Sequence, residues 1–513
     1  MDYVFICDYD NKSGNGHLAR CAALSSHLLG HGLTTALICK NLPKGYFLRS
    51  FSCTIPYDFL AQPTISGLIS HIVALQHSPN FSLILDSYRL SDHAITHLGK
   101  CFKVIFIDDL GRDLNVHLVL DYRPNFLRRT KSNCLLGPRY FLTSIKTQSP
   151  CVRRHWSVLA HAGGGGNFAD SSNFYNILAL KCDYFSLSLT WLVPSKSSYD
   201  WLTTNGLLRP HHHILLWDND AIPPWGYYHF IVGPASTSVY ETLLLGSTPI
   251  SFPISQTQLT PRSAWLKLGH AFHITNQEKY DNDFISSILD IAFSSANHST
   301  EPACISSCPL DSIGTTRVAN QILNYEDNHR NSDHKADGVI LHDKTSPSNP
   351  HLLRLANLSD CESFLTARKL PVNRKVSTDP SHLISWEEHL NWWINSPNTI
   401  RFSYEQNSQL LAYIWHKLIH IDRRLFITAG WFPASENTNF FDLMKATSMH
   451  CQYCDREYPH ASWFATVRSD NRAVISLNKR LGFRPASSEM HAFVSTLYPH
   501  RDDSLLLMER VPS

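Results

Sequence analysis

The sequence predicts an α/β protein: two similar halves, each a parallel sheet covered on both faces, and then a smaller α+β segment. Three observations carry this reading. Short apolar runs alternate with helical stretches through the first 325 residues, as parallel strands buried on both sides do. The pattern restarts near residue 150, after GPRYFLTSIKTQSP. A polar stretch ending in Ser, Pro and Asn, EDNHRNSDHKADGVILHDKTSPSNP, then separates this region from one with a different order of elements. The boundaries read as 1–150, 151–325, a linker at 326–350, and 351–513.

The buried-strand candidates are Tyr3–Cys7, Thr35–Cys39, Leu83–Leu85, Val104–Ile107, Leu118–Leu120, Ser157–His161, His213–Leu216 and Phe230–Val232. Helices are expected at His17–Leu29, Ser238–Leu245 and Arg262–Leu268. In the last segment a helix is expected around Ser359–Ala367 and a second at Trp386–Trp393, with Trp386, Trp392 and Trp393 read as core. Strands follow at Ile400–Tyr404, Leu410–His416 and Arg424–Ala429, then a long helix at Asn439–Tyr458. Strand Ser462–Val467 and helix Arg472–Leu481 close the pattern with GFRP.

Composition narrows the function classes. A chain of 513 residues is long enough for two to four domains of roughly 100–200 residues each. At 43% hydrophobic residues it has the material for sizeable cores. Lys plus Arg total 45 against 43 Asp plus Glu, a balance that argues against a dedicated nucleic-acid binder. No apolar run reaches the roughly 18 residues of a membrane span. MDYVFICDYD has neither the basic nor the apolar region of a secretion signal, so a cytoplasmic location is expected. The 13 cysteines are odd in number and dispersed, which reads as reduced thiols. Cys304 and Cys308 form one close pair, and Cys451 and Cys454 another, with His450 just before it. A zinc site usually draws four ligands from two such pairs, and these lie far apart, so no metal is expected. The 29 histidines, His211–His213 included, show no ligand spacing.

Chemistry concentrates where strands meet helices. The first strand runs into DYDNKSGNGHLAR, where Gly14 and Gly16 allow a tight turn or the close approach of a ligand. His17 then opens a helix whose N-terminus favours an anion. An imidazole there can exchange a proton near neutral pH, with Asp8 at the strand end placed to orient it. A helix-capping loop with a surface histidine fits the same residues. The second loop, Gly163–Gly166, lacks the Lys-Ser/Thr of a phosphate-binding Walker loop, and both a ligand-facing loop and a plain turn fit it. Ser236 and Thr237 stand at an expected helix start, placed to offer hydroxyls and amides to a phosphate. Glu241, one turn on, suits ribose hydroxyls, and Gln258 follows the next strand; a solvated helix residue and a loop residue are the plainer readings.

Eight ordered pieces, GNGHLARCAALSSHL, LILDSYRLSD, VIFIDDLGR, VHLVLDYRPN, LLGPRYFL, AGGGGN, STSVYETLLLGSTPI and DSIGTTRVANQIL, give the first 325 residues a resemblance to the UDP-sugar hydrolases of pseudaminic-acid biosynthesis. These are similar to a bacterial spore-coat polysaccharide protein. The resemblance implies a GT-B fold of two Rossmann-like halves. It implies hydrolysis of UDP-2,4-diacetamido-2,4,6-trideoxy-β-L-altropyranose by metal-independent attack of water. His17, with Asp8, would be catalytic, and Gly14, Gly16, Arg20, Ser236, Thr237, Glu241 and Gln258 would bind substrate. The chain departs from the family pattern at Ile6, Gly166 and Thr257. A glycosyltransferase and a UDP-sugar-binding protein are the alternative readings.

Residues 351–510 carry HLLRLANLSDCESFLTARKLP, ISWEEHLNWW and SWFATVRSDNRAVISLNKRLGFRP, which resemble the GNAT acetyltransferases, in particular the N-acetyltransferase acting just before the hydrolase. That implies acetyl-CoA as cofactor, with Asn471 close to it where the central strands splay. The family's pyrophosphate loop is replaced by AGWFPASENTNFFDLMK, in which Asn437 and Thr438 are the candidate anion ligands. The last-helix tyrosine gives way to Leu477 and Asn478. An active acetyltransferase and a degenerate or scaffolding domain both fit.

Overall fold

A computed structural model describes residues 2–9, 15–40, 47, 49–56, 81–126, 132–145, 156–163, 167–217, 223–296, 310–331, 351–377, 379–396, 398–421, 424–498 and 505–510. Gly14, Gly164–Gly166, Cys304, Cys308 and residues 332–350 lie outside them. The chain divides into two compact units, Met1–Asp337 and Gly338–Ser513.

The first unit holds two parallel sheets. Strands β1 (Tyr3–Cys7), β2 (Thr35–Cys39), β3 (Cys53–Pro56), β4 (Ser82–Asp86), β5 (Lys103–Ile107), β6 (Leu118–Asp121) and β7 (Asn133–Leu136) pair in the order β3-β2-β1-β4-β5-β6-β7. Strands β8 (Ser157–His161), β9 (Ser188–Val193), β10 (His213–Leu216), β11 (Phe230–Pro234), β12 (Thr248–Phe252) and β13 (Phe272–His273) pair as β10-β9-β8-β11-β12-β13. In each sheet the chain starts centrally, runs to one edge, and returns past its start. That reversal leaves a crevice at the C-terminal ends of the first strands. The helices are α1 (Gly16–Gly30), α2 (Asp92–Cys101), α3 (Ser172–Tyr184), α4 (Lys196–Thr204), α5 (Thr237–Leu244), α6 (Arg262–Lys267), α7 (Asn282–Ala296) and α8 (Gly314–Asn331).

Every residue of β1, β2, β4 and β8 is buried, which is why these strands read as apolar runs rather than alternating ones. Strand β12 is the strand expected ahead of Gln258, and it holds Pro249 although proline cannot donate to a ladder. Strand β9 escaped the sequence reading because Ser188 and Thr190 interrupt the run. Helix α8 continues to Asn331, into the stretch read as linker from 326.

One apolar cluster ties the two sheets together. Phe5, Leu18 and Leu24 of the first pack with Val239, Tyr240 and Leu243 of α5, and with Val318, Ala319 and Ile322 of α8. Tyr240 stacks on Phe141 at 4.8 Å and meets Tyr122 edge-on at 5.5 Å. Thr315 accepts from Thr143 N and donates to Thr143 O, both at 2.8 Å.

The second unit is one mixed sheet with helices. Its strands are β14 (His351–Leu355), β15 (Thr399–Gln406), β16 (Gln409–Ile421), β17 (Arg424–Pro433), β18 (Ser462–Arg468), β19 (Arg484–Pro485) and β20 (Leu505–Arg510), in the order β14-β15-β16-β17-β18-β20-β19. The helices are α9 (Cys361–Arg368), α10 (Pro371–Lys375), α11 (Trp386–Ile394), α12 (Phe440–Glu457), α13 (Arg472–Arg480) and α14 (Ser488–Leu497). Ser385 and Glu388 form a capping box that starts α11. Trp392 and Trp393 flank Phe364, with the Arg401 guanidinium 4.2 and 5.0 Å from their rings. Strands β17 and β18 are parallel and pair only at Phe426–Ser462 and Ile427–Trp463; beyond that point they separate.

Gly314 tests the packing of α8. A Cβ built there lies 2.3 Å from the Phe141 carbonyl oxygen. Gly→Ala in a helix ordinarily stabilises by roughly 0.5–1 kcal/mol, but overpacking against backbone costs about 1–3 kcal/mol. Gly314→Ala is therefore expected to lower the unfolding midpoint of the first unit in scanning calorimetry; a raised midpoint contradicts this packing.

Candidate functional site

The first unit contains a cavity of about 580 Å³ at the strand C-termini of its two sheets. Its walls include Gly16, His17, Arg20, Ser236, Thr237, Glu241 and Gln258, so seven residues singled out in the sequence meet in one place. The N-termini of α1 and α5 converge there: a Cβ on Gly16 would lie 3.5 Å from Thr237 Oγ1. Each N-terminus presents unpaired amides and the positive end of its dipole.

His17 and Arg20 are buried, and their spacing of three puts both on one face of α1. Both meet Asp86. His17 Nδ1 donates to Asp86 Oδ1 at 2.6 Å, and Arg20 reaches Asp86 Oδ2 through Nε at 2.5 Å and Oδ1 through Nη2 at 2.6 Å. An ionised carboxylate only accepts, so the shorter Asp86 contact requires the proton on Nδ1 and leaves the Nε2 lone pair free; Arg20 Nη2, 2.9 Å from Nδ1, then donates to Asp86 and not to the ring. Nε2 has no hydrogen-bond partner among the described residues, and the ring lines the cavity. Burial alone would raise the Asp86 pKa, but Arg20 and then His17 outweigh it and hold the carboxyl well below its ordinary range.

The orienting acid is thus Asp86, which corrects the role expected of Asp8. Side chains alternate along a strand. Tyr3, Phe5 and Cys7 face α1, whereas Val4 and Ile6 face the opposite core. Asp8 has the second parity. It accepts from Ser87 Oγ at 2.8 Å and from Tyr88 N at 2.7 Å, bracing the loop after β4. Asp86 is in register with Cys7 and so points to α1.

That loop delivers Tyr88, whose ring meets His17 edge-on at 4.5 Å. Tyr88 Oη donates to Asp109 Oδ2 at 2.7 Å, and Arg20 Nη1 reaches the same oxygen at 3.0 Å and also Tyr122 Oη. Asp109 Oδ1 is buried without a partner. Asp86, Tyr88, Asp109 and Tyr122 were not singled out from the sequence. The available signal was their position: each follows or ends a buried parallel strand, where open α/β sheets bind ligands.

Across the cavity, Trp225 Nε1 donates to Glu241 Oε2 at 2.9 Å. Burial pushes the Glu241 pKa up to about 7, against the lowering effect of that bond, so the group is close to half-ionised near neutral pH. Gln258 Oε1 accepts from Ile254 N at 2.9 Å, which fixes the loop after β12. His161 also lines the cavity, and burial lowers its pKa to about 4, so it stays neutral.

The second unit has its own cavity of about 820 Å³, in the gap between β17 and β18. Thr428–Phe432 form one wall and Phe464–Arg468 another, with Asn471 and Asn478 contributed by α13. Asn471 also caps α13, accepting from Val474 N at 3.2 Å. Asn437 and Thr438 are not in this wall. Asn437 is exposed, and Thr438 Oγ1 donates to the Leu411 carbonyl at 2.8 Å because β16 runs alongside that loop. No described helix is long and apolar enough to cross a membrane.

Asp86→Asn removes the charge that the buried Arg20 guanidinium and His17 imidazole share. Breaking such a buried pair costs about 3–5 kcal/mol. Because folding lowers the Asp86 pKa, its contribution is full above the unfolded value near 3.9 and is lost as pH falls through the folded value. Urea unfolding at neutral pH is expected to show the full deficit, shrinking below about pH 4. A pH-independent deficit overturns the ionised assignment.

No family model matches the chain, and no curated protein matches it. Among solved structures it is similar to a GNAT-family acetyltransferase of Streptococcus pneumoniae, at 14% identity over 32% of this chain and 99% of that one, TM-score 0.25. It is similar to the ribosomal-protein-alanine N-acetyltransferase of Brucella melitensis, at 15% over 31% and 99%, TM-score 0.25. It is also similar to the N-acetyltransferase PseH of Campylobacter jejuni, at 12% over 32% and 99%, TM-score 0.23.

Proposed function

We propose that the first unit is a GT-B-type hydrolase that cleaves UDP-2,4-diacetamido-2,4,6-trideoxy-β-L-altropyranose to UDP and the free sugar. The observation that carries this is His17, tied through Nδ1 to Asp86 and opening through Nε2 into a cavity walled by the α5 N-terminus. In this reading Ser236, Thr237 and the first amides of α5 hold the diphosphate. Glu241 accepts from ribose hydroxyls, and Gln258 completes the nucleotide wall. His17 Nε2 takes a proton from water as its oxygen attacks the anomeric carbon. The bond from that carbon to the β-phosphate oxygen breaks, and UDP leaves with its charge against the helix N-terminus. Asp86 stabilises the imidazolium that forms.

The test is UDP release by the full chain from the UDP-sugar alone. His17→Ala is expected to lower the rate by about 10²–10⁴-fold, with UDP affinity by calorimetry changed little. Release only after an acceptor sugar is added makes the protein a transferase. Binding without release makes it a UDP-sugar-binding protein.

We read the second unit as a GNAT-type N-acetyltransferase acting on the 4-amino UDP-sugar, whose acetylated product the first unit then hydrolyses. Past Ile427, β17 pairs with β16 on one edge and leaves the other facing the cavity. That open edge, with small Ala429, Gly430 and Ala465, fits the amide-bearing arm of coenzyme A, which can pair like an added strand. Bound acetyl-CoA supplies the activated acetyl thioester. With Asn437 and Thr438 outside the cavity wall, the N-terminus of α12, capped by Asn439, is the remaining candidate to hold the diphosphate. Asn478 neither gives nor takes a proton, so the phenol at the cavity rim, Tyr498, is the group placed to protonate the departing thiolate. Desolvation raises its pKa and keeps it protonated. Thiol release from acetyl-CoA in the presence of the 4-amino UDP-sugar is expected, with Tyr498→Phe slower; absence of acetyl-CoA binding by calorimetry overturns this reading.

A further inference from the structure

Away from both cavities, three metal-ligand side chains meet in the core of the second unit. His416 comes from β16; His450 and Cys454 come from α12, where a spacing of four stacks them on one face. His416 Nδ1 lies 2.8 Å from His450 Nε2. Cys454 Sγ lies 3.5 Å from the first nitrogen and 3.6 Å from the second. All three residues are fully buried.

The triangle has the size of a metal site. Zinc binds imidazole nitrogen at about 2.0–2.1 Å and thiolate sulfur at about 2.3 Å. An ion at those lengths sits just outside the plane of these three atoms, with the nitrogen–nitrogen edge opening slightly to admit it. Among the described residues no Lys or Arg bonds these three atoms. The nearest acid on the same helix, Asp455, is turned to Arg510, at 2.7 and 2.6 Å. The other cluster of ligand-type residues, Asp183 with His211 and His212, is different: Arg209 already sits on its carboxylate, and His211 is exposed.

The donor set selects the class of ion. Two imidazoles and one thiolate suit zinc and its soft neighbours and disfavour magnesium and calcium. His416 Nδ1 and His450 Nε2, 2.8 Å apart, share one proton, which a bound cation would displace. Cys454 would bind as the thiolate, its proton displaced by the cation. The remaining contact, Trp431 Nε1 to His450 Nδ1, is long at 3.4 Å. Ligation through Nε2 moves the ring proton to Nδ1 and releases that indole, which lines the cavity between β17 and β18.

We propose that His416, His450 and Cys454 form a structural site for a zinc-class ion that pins α12 to β16. The site does not depend on either catalytic reading above.

The test uses the full chain, produced in zinc-supplemented medium with any affinity tag removed. Plasma mass spectrometry is expected to find about one equivalent of zinc per chain after dialysis. Replacement by Co²⁺ is expected to give a thiolate-to-cobalt charge-transfer band. Cys454→Ser should lose that band and the equivalent of metal, while Cys451→Ser keeps both. Zinc held without a cobalt–thiolate band marks binding by other histidines and overturns the proposal, as does wild-type protein that holds no zinc. Should Cys454→Ser fail to fold, the wild-type cobalt spectrum decides alone.

Discussion

Asp86 is a buried carboxylate held by the Arg20 guanidinium and the His17 imidazole, and the first unit is arranged around that fact. Removing a carboxylate from solvent is costly unless its charge is met, and here Arg20 meets it through two nitrogens and His17 through one. The arrangement fixes the His17 tautomer, points Nε2 into the cavity, and holds Arg20 where it also grips Asp109 and Tyr122. Tyr122 in turn meets Tyr240 of α5. A single ionised group therefore connects the reactive imidazole to the packing that joins the two sheets.

That packing explains why the cavity has two chemically different walls. The first sheet contributes His17 and a set of strand-end acids already satisfied by Arg20 and by backbone. The second contributes a bare helix N-terminus and Glu241, whose burial leaves it close to half-ionised near neutral pH. Positive potential from two helix ends faces a proton acceptor across a short gap. An anionic leaving group and a water molecule need those two environments side by side. The chain's near-zero net charge is consistent with this, since local dipoles supply the field and no basic surface is needed.

The second unit creates its cavity by a different device. Two parallel strands pair for two residues and then part, so backbone that would bond a neighbour faces open space. Small residues on β17 and β18 keep the gap clear, and Trp415 lies across Gly430, where a Cβ would stand 2.5 Å from the indole nitrogen. Trp431 borders both this gap and the His416–His450–Cys454 cluster, so the core beneath and the cavity above share a wall.

By itself the sequence determined the local features. Continuous apolar runs set the central strands, glycine with His17 marked the first turn, Ser236 and Thr237 marked a helix start, and GFRP closed α13. These signals lie within a few residues of one another, so spacing alone reveals them. It misassigned what depends on register and on distant partners. Asp8 and Asp86 look alike as strand-end acids; only the pairing of β1 with β4, and the alternation of side chains along them, turns one toward α1 and the other away. Ser188 and Thr190 hid strand β9, whose burial comes from its pairing with β8 and β10. His450 and Cys454 showed no further ligand nearby in sequence because His416, which meets both, is 38 residues from Cys454 and arrives on a strand. Tertiary structure decided these cases because parity, register and burial belong to pairs of segments, and neither segment carries them alone.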